Sequence, residues 1–226
     1  MASHPTATNR ASDAYLTVSE FLYKTHIALT NGQLPDIGPL LEKRGITRAD
    51  MAAKLMEVET LRRLHEQQRQ EYGEQYNATK AYHTAWKAAH DPYMDAVRLG
   101  RLAFKNDLQA LAALALRGDR AQSQGNYIAQ GLTFYNNALA NSSYQAALAQ
   151  KGVTVADLQA GQAAFMDLNL LSATQRKEMG DAQNATQARD ATYDALAEWM
   201  ADFYETAKVA LRVQPQLLEK LGIVAR

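Results

Sequence analysis

The string Gly45-Ile46-Thr47-Arg48-Ala49-Asp50-Met51 returns as Gly152-Val153-Thr154-Val155-Ala156-Asp157-Leu158, 107 residues later. Held at that offset without a gap, residues 45–111 and 152–218 share 20 identities in 67 positions. A chain with such a repeat must satisfy one hydrophobic pattern twice, so a fold that suits the first copy has to suit the second. Upstream, Ala28-Leu29-Thr30-Asn31 faces Ala138-Leu139-Ala140-Asn141 after a shift of three residues. The shift falls between Gly32 and Gly38, where Pro35 marks a loop whose length can change cheaply. Four segments follow: a flexible polar tail over 1–13, a first copy over 14–117, a polar linker over 118–125 and a second copy over 126–226.

Within each copy the apolar residues keep helical spacing. Met51, Leu55, Val58, Leu61 and Leu64 recur every three or four positions, as do Leu158, Phe165, Leu168 and Leu171. Thr47 and Thr154 are placed to cap helix starts, with Asp50 and Asp157 in the first turn, and Gly45 and Gly152 suit the end of a preceding short helix. The spacing predicts a first helix over 14–30 or 127–140, a short turn over 39–43 or 144–150, and then two long helices. Gly73 and Gly180 mark the end of one, and Asn77 and Asn184 cap the next, with a bend in one continuous helix as the alternative. Tyr193, Leu196, Met200, Phe203, Ala207 and Leu211 form the apolar face of the last helix in the second copy. Trp86, Tyr93, Val97, Phe104, Leu108 and Leu111 do so in the first, where Asp91-Pro92 is expected to kink or restart the helix. The expected fold class is all-α: two tandem three-helix units that form an elongated or pseudo-twofold helical bundle.

Composition narrows the function. Lys plus Arg equals Asp plus Glu, 24 against 24, which speaks against a nucleic-acid or anionic-membrane binder driven by net charge. With no cysteine, disulfides and thiolate metal sites are excluded. No apolar run approaches the roughly 20 residues needed to cross a bilayer, and residues 1–13 lack the apolar core of a signal peptide, so a cytoplasmic protein without membrane insertion is expected. His4, His26, His65, His83 and His90 show neither a Glu-x-x-His nor a His-x-x-x-His spacing. Phosphate-cradling loops and nucleophile motifs are missing too, so no catalytic, cofactor or metal residues are assigned.

Both copies keep one polar belt: Gln68, Arg69, Glu71, Asn77 and Thr79, with Gln175, Arg176, Glu178, Asn184 and Thr186. Tyr72 and Tyr76 lie beside it, and such a belt serves either a turn or a recognition surface displayed twice. At the far end, Pro215-Gln216-Leu217-Leu218-Glu219-Lys220-Leu221-Gly222-Ile223 resembles the ends of uncharacterised bacterial tandem-duplicated helical-bundle proteins, a resemblance that implies no active site or ligand. Leu40-Leu41-Glu42-Lys43-Arg44-Gly45-Ile46 echoes the same string inside the chain. The expected function is a non-catalytic scaffold that binds itself or another protein, with head-to-tail contacts giving an extended assembly. Two alternatives stand beside it: a bundle holding a small apolar ligand or cofactor between helices near Trp86, Tyr93, Trp199 and Phe203, and a metal-dependent enzyme.

Overall fold

The computed structural model describes residues 17–224. The tail expected over 1–13 lies outside them, as do residues 14–16 of the first expected helix. All regular structure among the described residues is helical, with no strand: α1 (Val18–Gly32), α2 (Gly38–Glu42), α3 (Arg48–Ala103), α4 (Leu108–Ala113), α5 (Gln124–Ala140), α6 (Ser142–Ala149), α7 (Val155–Ala210) and α8 (Gln216–Lys220).

The two long helices expected in each copy are one. α3 and α7 each run for 56 residues, straight through Gly73 and Gly180. Asn77 and Asn184 therefore sit in helix interiors and cap nothing. A glycine inside a helix costs only about 1 kcal/mol relative to alanine, and within two residues of each glycine stand more good helix formers, Glu71, Glu74, Gln75, Glu178, Met179 and Ala182, than poor ones. Pro92 lies inside α3 as well; it leaves the Ala88 carbonyl without a helical donor but does not end the helix. In the first copy the last turn expected to continue the helix is instead the separate short helix α4, and Leu108, expected in the apolar face, is exposed.

The helix starts follow from their caps. Thr47 Oγ1 accepts from Asp50 N at 3.1 Å while Asp50 Oδ2 accepts from Thr47 N at 2.9 Å. Thr154 and Asp157 repeat the arrangement at 3.2 and 2.8 Å, so two amides are satisfied reciprocally at each start. The threonine hydroxyl, then the threonine amide, hold both carboxyls below the usual range. α1 opens with a third such box, Thr17 with Glu20.

The short helices end alike. Ile46 N bonds Leu41 O at 3.2 Å, Leu116 N bonds Leu111 O at 2.8 Å, Val153 N bonds Leu148 O at 3.1 Å and Ile223 N bonds Leu218 O at 3.0 Å. Each is the six-to-one bond of a Schellman closure. The residue between has positive φ every time, at Gly45 (88°), Ala115 (50°), Gly152 (85°) and Gly222 (74°). The echo between residues 40–46 and 217–223 is thus a recurrent helix stop, used four times.

The chain divides into two compact units, one of Met1–Arg69 with Asn184–Arg226 and the other of Gln70–Gln183. Each unit draws on both sequence copies. In the first, α1, α2, α8 and parts of α3 and α7 enclose a core that includes Phe21, Leu29, Met51, Leu61, Met200 and Phe203. There α3 and α7 run antiparallel, since Lys54 Nζ lies 5.6 Å from the Trp199 ring and Gln68 bonds Arg189. In the second unit, α4, α5, α6 and the other parts of α3 and α7 bury Tyr93, Phe134, Tyr135, Leu148 and Phe165. The same antiparallel sense holds, with Thr79 against Gln175 and the Tyr93 and Phe165 ring centroids 4.9 Å apart.

Much of the expected linker, residues 118–123, is irregular, and α5 already begins at Gln124. Unit 2 holds this stretch through Arg120 Nη1 on the Tyr93 hydroxyl (2.9 Å) and Ala121 N on Gln130 Oε1 (2.9 Å). Arg101 also donates to the Leu116 carbonyl just before it, at 2.8 Å.

Candidate interaction surfaces

The polar belt is distributed over both units. In the first, Gln68 is buried and its Oε1 accepts from Arg189 Nη1 at 2.8 Å, which leaves it unavailable to a partner. Arg69 and Asn184 are exposed there and Thr186 is half-buried. In the second, the half-buried Thr79 hydroxyl accepts from Gln175 Nε2 at 3.4 Å, and Gln175 Oε1 accepts from Gln124 Nε2 at 3.3 Å. Asn77 and Arg176 are exposed. Tyr72 and Tyr76 stand in solvent, 50% and 70% exposed.

The belt also contains an arrangement of carboxylates that spacing did not reveal. Glu71 and Glu74 of α3 and Glu178 of α7 each offer an oxygen within 4.8 Å of the others. An all-oxygen set of this kind suits a hard cation such as Mg²⁺ or Ca²⁺. Lys177 Nζ reaches Glu178 Oε1 at 3.0 Å and Asp181 Oδ2 at 2.9 Å, while Gln70 Nε2 donates to Glu74 Oε1 at 2.8 Å. Asp181 and then Glu178 push the Lys177 ammonium pKa upward. Glu178 Oε2 is buried without a hydrogen-bond partner. Glu71 and Glu178 stand 107 apart, so a signal was present: where two like helices pair antiparallel, repeat-equivalent residues meet at the centre of the register. Glu74 has no such signature.

Apart from Tyr72 and Tyr76, the aromatic residues of unit 2 pack in or against its core. Trp86 stacks on His90 at 4.4 Å, and His90 Nδ1 lies 2.8 Å from the Tyr127 hydroxyl. Burial pushes the Tyr127 and Tyr135 phenols upward. Trp86 and Tyr93 belong to this core, whereas Trp199 and Phe203 belong to that of unit 1.

Two exposed helix faces differ in charge. In unit 2, α3 carries an open groove lined by Tyr76, Thr79, Lys80, His83, Thr84, Lys87, Ala88 and Asp91. In unit 1, the positions 107 later on α7 include Asp190 for His83, Asp194 for Lys87 and Glu198 for Asp91, and Asp202 extends the row. All four acids are exposed.

In comparisons with known proteins, no family model, curated protein or solved structure matches the chain. Among the described residues, no helix is long and apolar enough to cross a membrane.

Proposed function

We propose that this chain is a non-catalytic helical scaffold, the product of a tandem duplication, that associates with further copies of itself into an extended assembly. The observation that carries the reading is a coincidence of exposure. Large apolar side chains stand in solvent at the same two places of both copies: Tyr72 (50%) and Met179 (50%), Leu102 (60%) and Val209 (57%). Apolar residues scattered singly over a surface need no explanation, but a surface repeated at equivalent positions offers two like patches to neighbours. Contacts that join different patches on successive molecules build open polymers when the rotation between them does not close.

The polar belt is consistent with this role. Its exposed members, Arg69, Asn77, Arg176 and Asn184, flank the Tyr72 and Met179 positions along α3 and α7. Light scattering on purified protein as concentration rises is the test. A weight-average mass that climbs above that of the 25.0 kDa chain is expected, and Tyr72→Glu with Met179→Glu should lower it at equal concentration. A mass fixed at the monomer across all concentrations and ionic strengths would remove the proposal.

A further inference from the structure

We infer that the α3 groove of unit 2 is a docking site for the acidic face of α7 in a second copy of this chain. The inference rests on the self-association reading and names the contact that would carry it. Tyr76, Lys80, Thr84, Lys87 and Asp91 follow one another along the groove at three- and four-residue spacing, and apart from half-buried Thr79 its lining side chains are exposed. Neither lysine has an ion pair among the described residues.

The occupant is identified by charge. Asp190, Asp194, Glu198 and Asp202 repeat every four residues on an exposed face of α7. Like charges at that spacing are neighbours on a helix surface and disfavour it. Asp190 is paired with Arg189, while Asp194, Glu198 and Asp202 have no ion pair among the described residues. The equivalent positions of α3 hold His83, Lys87, Asp91 and Asp95, so the fold itself does not require an acid at the first two. A cationic, partly apolar face of matching length relieves the repulsion, and the chain carries such a face on α3.

The register favours an antiparallel seat. With Lys87 opposite Asp190, Thr84 meets Asp194, Lys80 meets Glu198, the Tyr76 hydroxyl can donate to Asp202, and Asp91 lies beside the uncharged Gln187. A parallel seat anchored on the same pair would set Asp91 against Asp194. Because groove and acidic row are different surfaces, each docked molecule still presents one of each, and the contact propagates.

Charge reversal on the full chain tests this, read by sedimentation velocity at low and high salt with far-UV circular dichroism as the folding control. Wild type should associate at low salt and dissociate as salt rises. Lys80→Glu with Lys87→Glu, and separately Asp194→Lys with Glu198→Lys, should each raise the apparent Kd at least tenfold while helicity is kept. A one-to-one mixture of these two folded variants should associate again, since each supplies the intact face that the other lacks. If both variants associate like wild type, or their mixture fails to recover, the groove is not the contact, although self-association through other surfaces would stand. A wild type that stays monomeric at every concentration and salt would overturn both.

Discussion

Ala115 is the one described residue other than glycine with positive φ, at 50°. It closes α4 at the point where Gly45, Gly152 and Gly222 close α2, α6 and α8, and the buried Leu116 then locks the turn by donating to Leu111. An L-residue held in this left-handed region is strained because its Cβ crowds the following carbonyl. Ala115→Gly removes that strain but adds freedom to the unfolded chain, an entropic cost that offsets part of the gain. The net expectation is a stabilisation of about 0.5–1 kcal/mol, seen as a higher denaturant midpoint with an unchanged slope. A lower midpoint would show that the Ala115 side chain contributes more through packing than its backbone costs. The glycine stops at Gly45 and Gly152 were legible in the sequence because glycine announces positive φ. The stop at Ala115 was not, since alanine gives no such sign.

At the scale of elements, the two cores solve one packing problem with opposite distributions of volume. In unit 2 a Cβ on Gly131 of α5 would come within 2.0 Å of the Phe165 ring of α7, so the ring fills the space of the missing side chain. In unit 1 the corresponding positions hold Phe21 on α1 and Val58 on α3, both buried in that unit's core. The large residue has moved from the long helix to the short one. A second exchange lies one turn away: a Cβ on Gly161 would come within 2.1 Å of the Tyr135 ring, where unit 1 has Lys54 and Thr25. Gly131→Ala should therefore destabilise by roughly 1–3 kcal/mol, the usual cost of overpacking. The paired change Gly131→Phe with Phe165→Val should recover a good part of the Gly131→Phe loss, because the two sites share one volume. Thermal or chemical denaturation of the singles and the double gives the coupling; strict additivity would mean that the ring and the glycine do not depend on each other. Hydrophobic spacing identified the buried stripes on α3 and α7, and the threonine–aspartate boxes marked both helix starts. The spacing could not reveal which facing residue was small, since that is a property of pairs distant in sequence. Gly73 and Gly180 misled for a related reason. Glycine is read as a stop, but with no neighbour within 4 Å of a Cβ at either site and good helix formers on both sides, it is merely a weak helical residue.

For the molecule as a whole, the repeat read in the sequence invites division at the linker, yet neither compact unit is made from one copy. The unit containing α1, α2 and α8 needs α7 residues from Asn184 onward, and the unit containing α4, α5 and α6 needs α3 residues from Gln70 onward. No local signal could show this, because the antiparallel pairing of α3 with α7 depends on residues far apart in sequence, from Tyr93 with Phe165, 72 positions apart, to Lys54 with Trp199, 145 apart. A fragment ending at residue 120 would keep Met51, Val58 and Leu61 but lose Leu196, Met200 and Phe203, which cover them. It would likewise keep Tyr93 while losing Phe165 and Leu168. Truncation at the linker should thus expose apolar stripes on a long helix that has little reason to persist alone, since helical stability in proteins comes mostly from tertiary packing. Residues 1–120 and 121–226 expressed separately are expected to show weak helical circular dichroism or to self-pair into dimers, each fragment supplying the missing long helix to another. Mixed at equal concentration, they should form a one-to-one complex with the helicity of the intact chain. Two fragments that each fold cooperatively as monomers would mean that each sequence copy can build a core without the other.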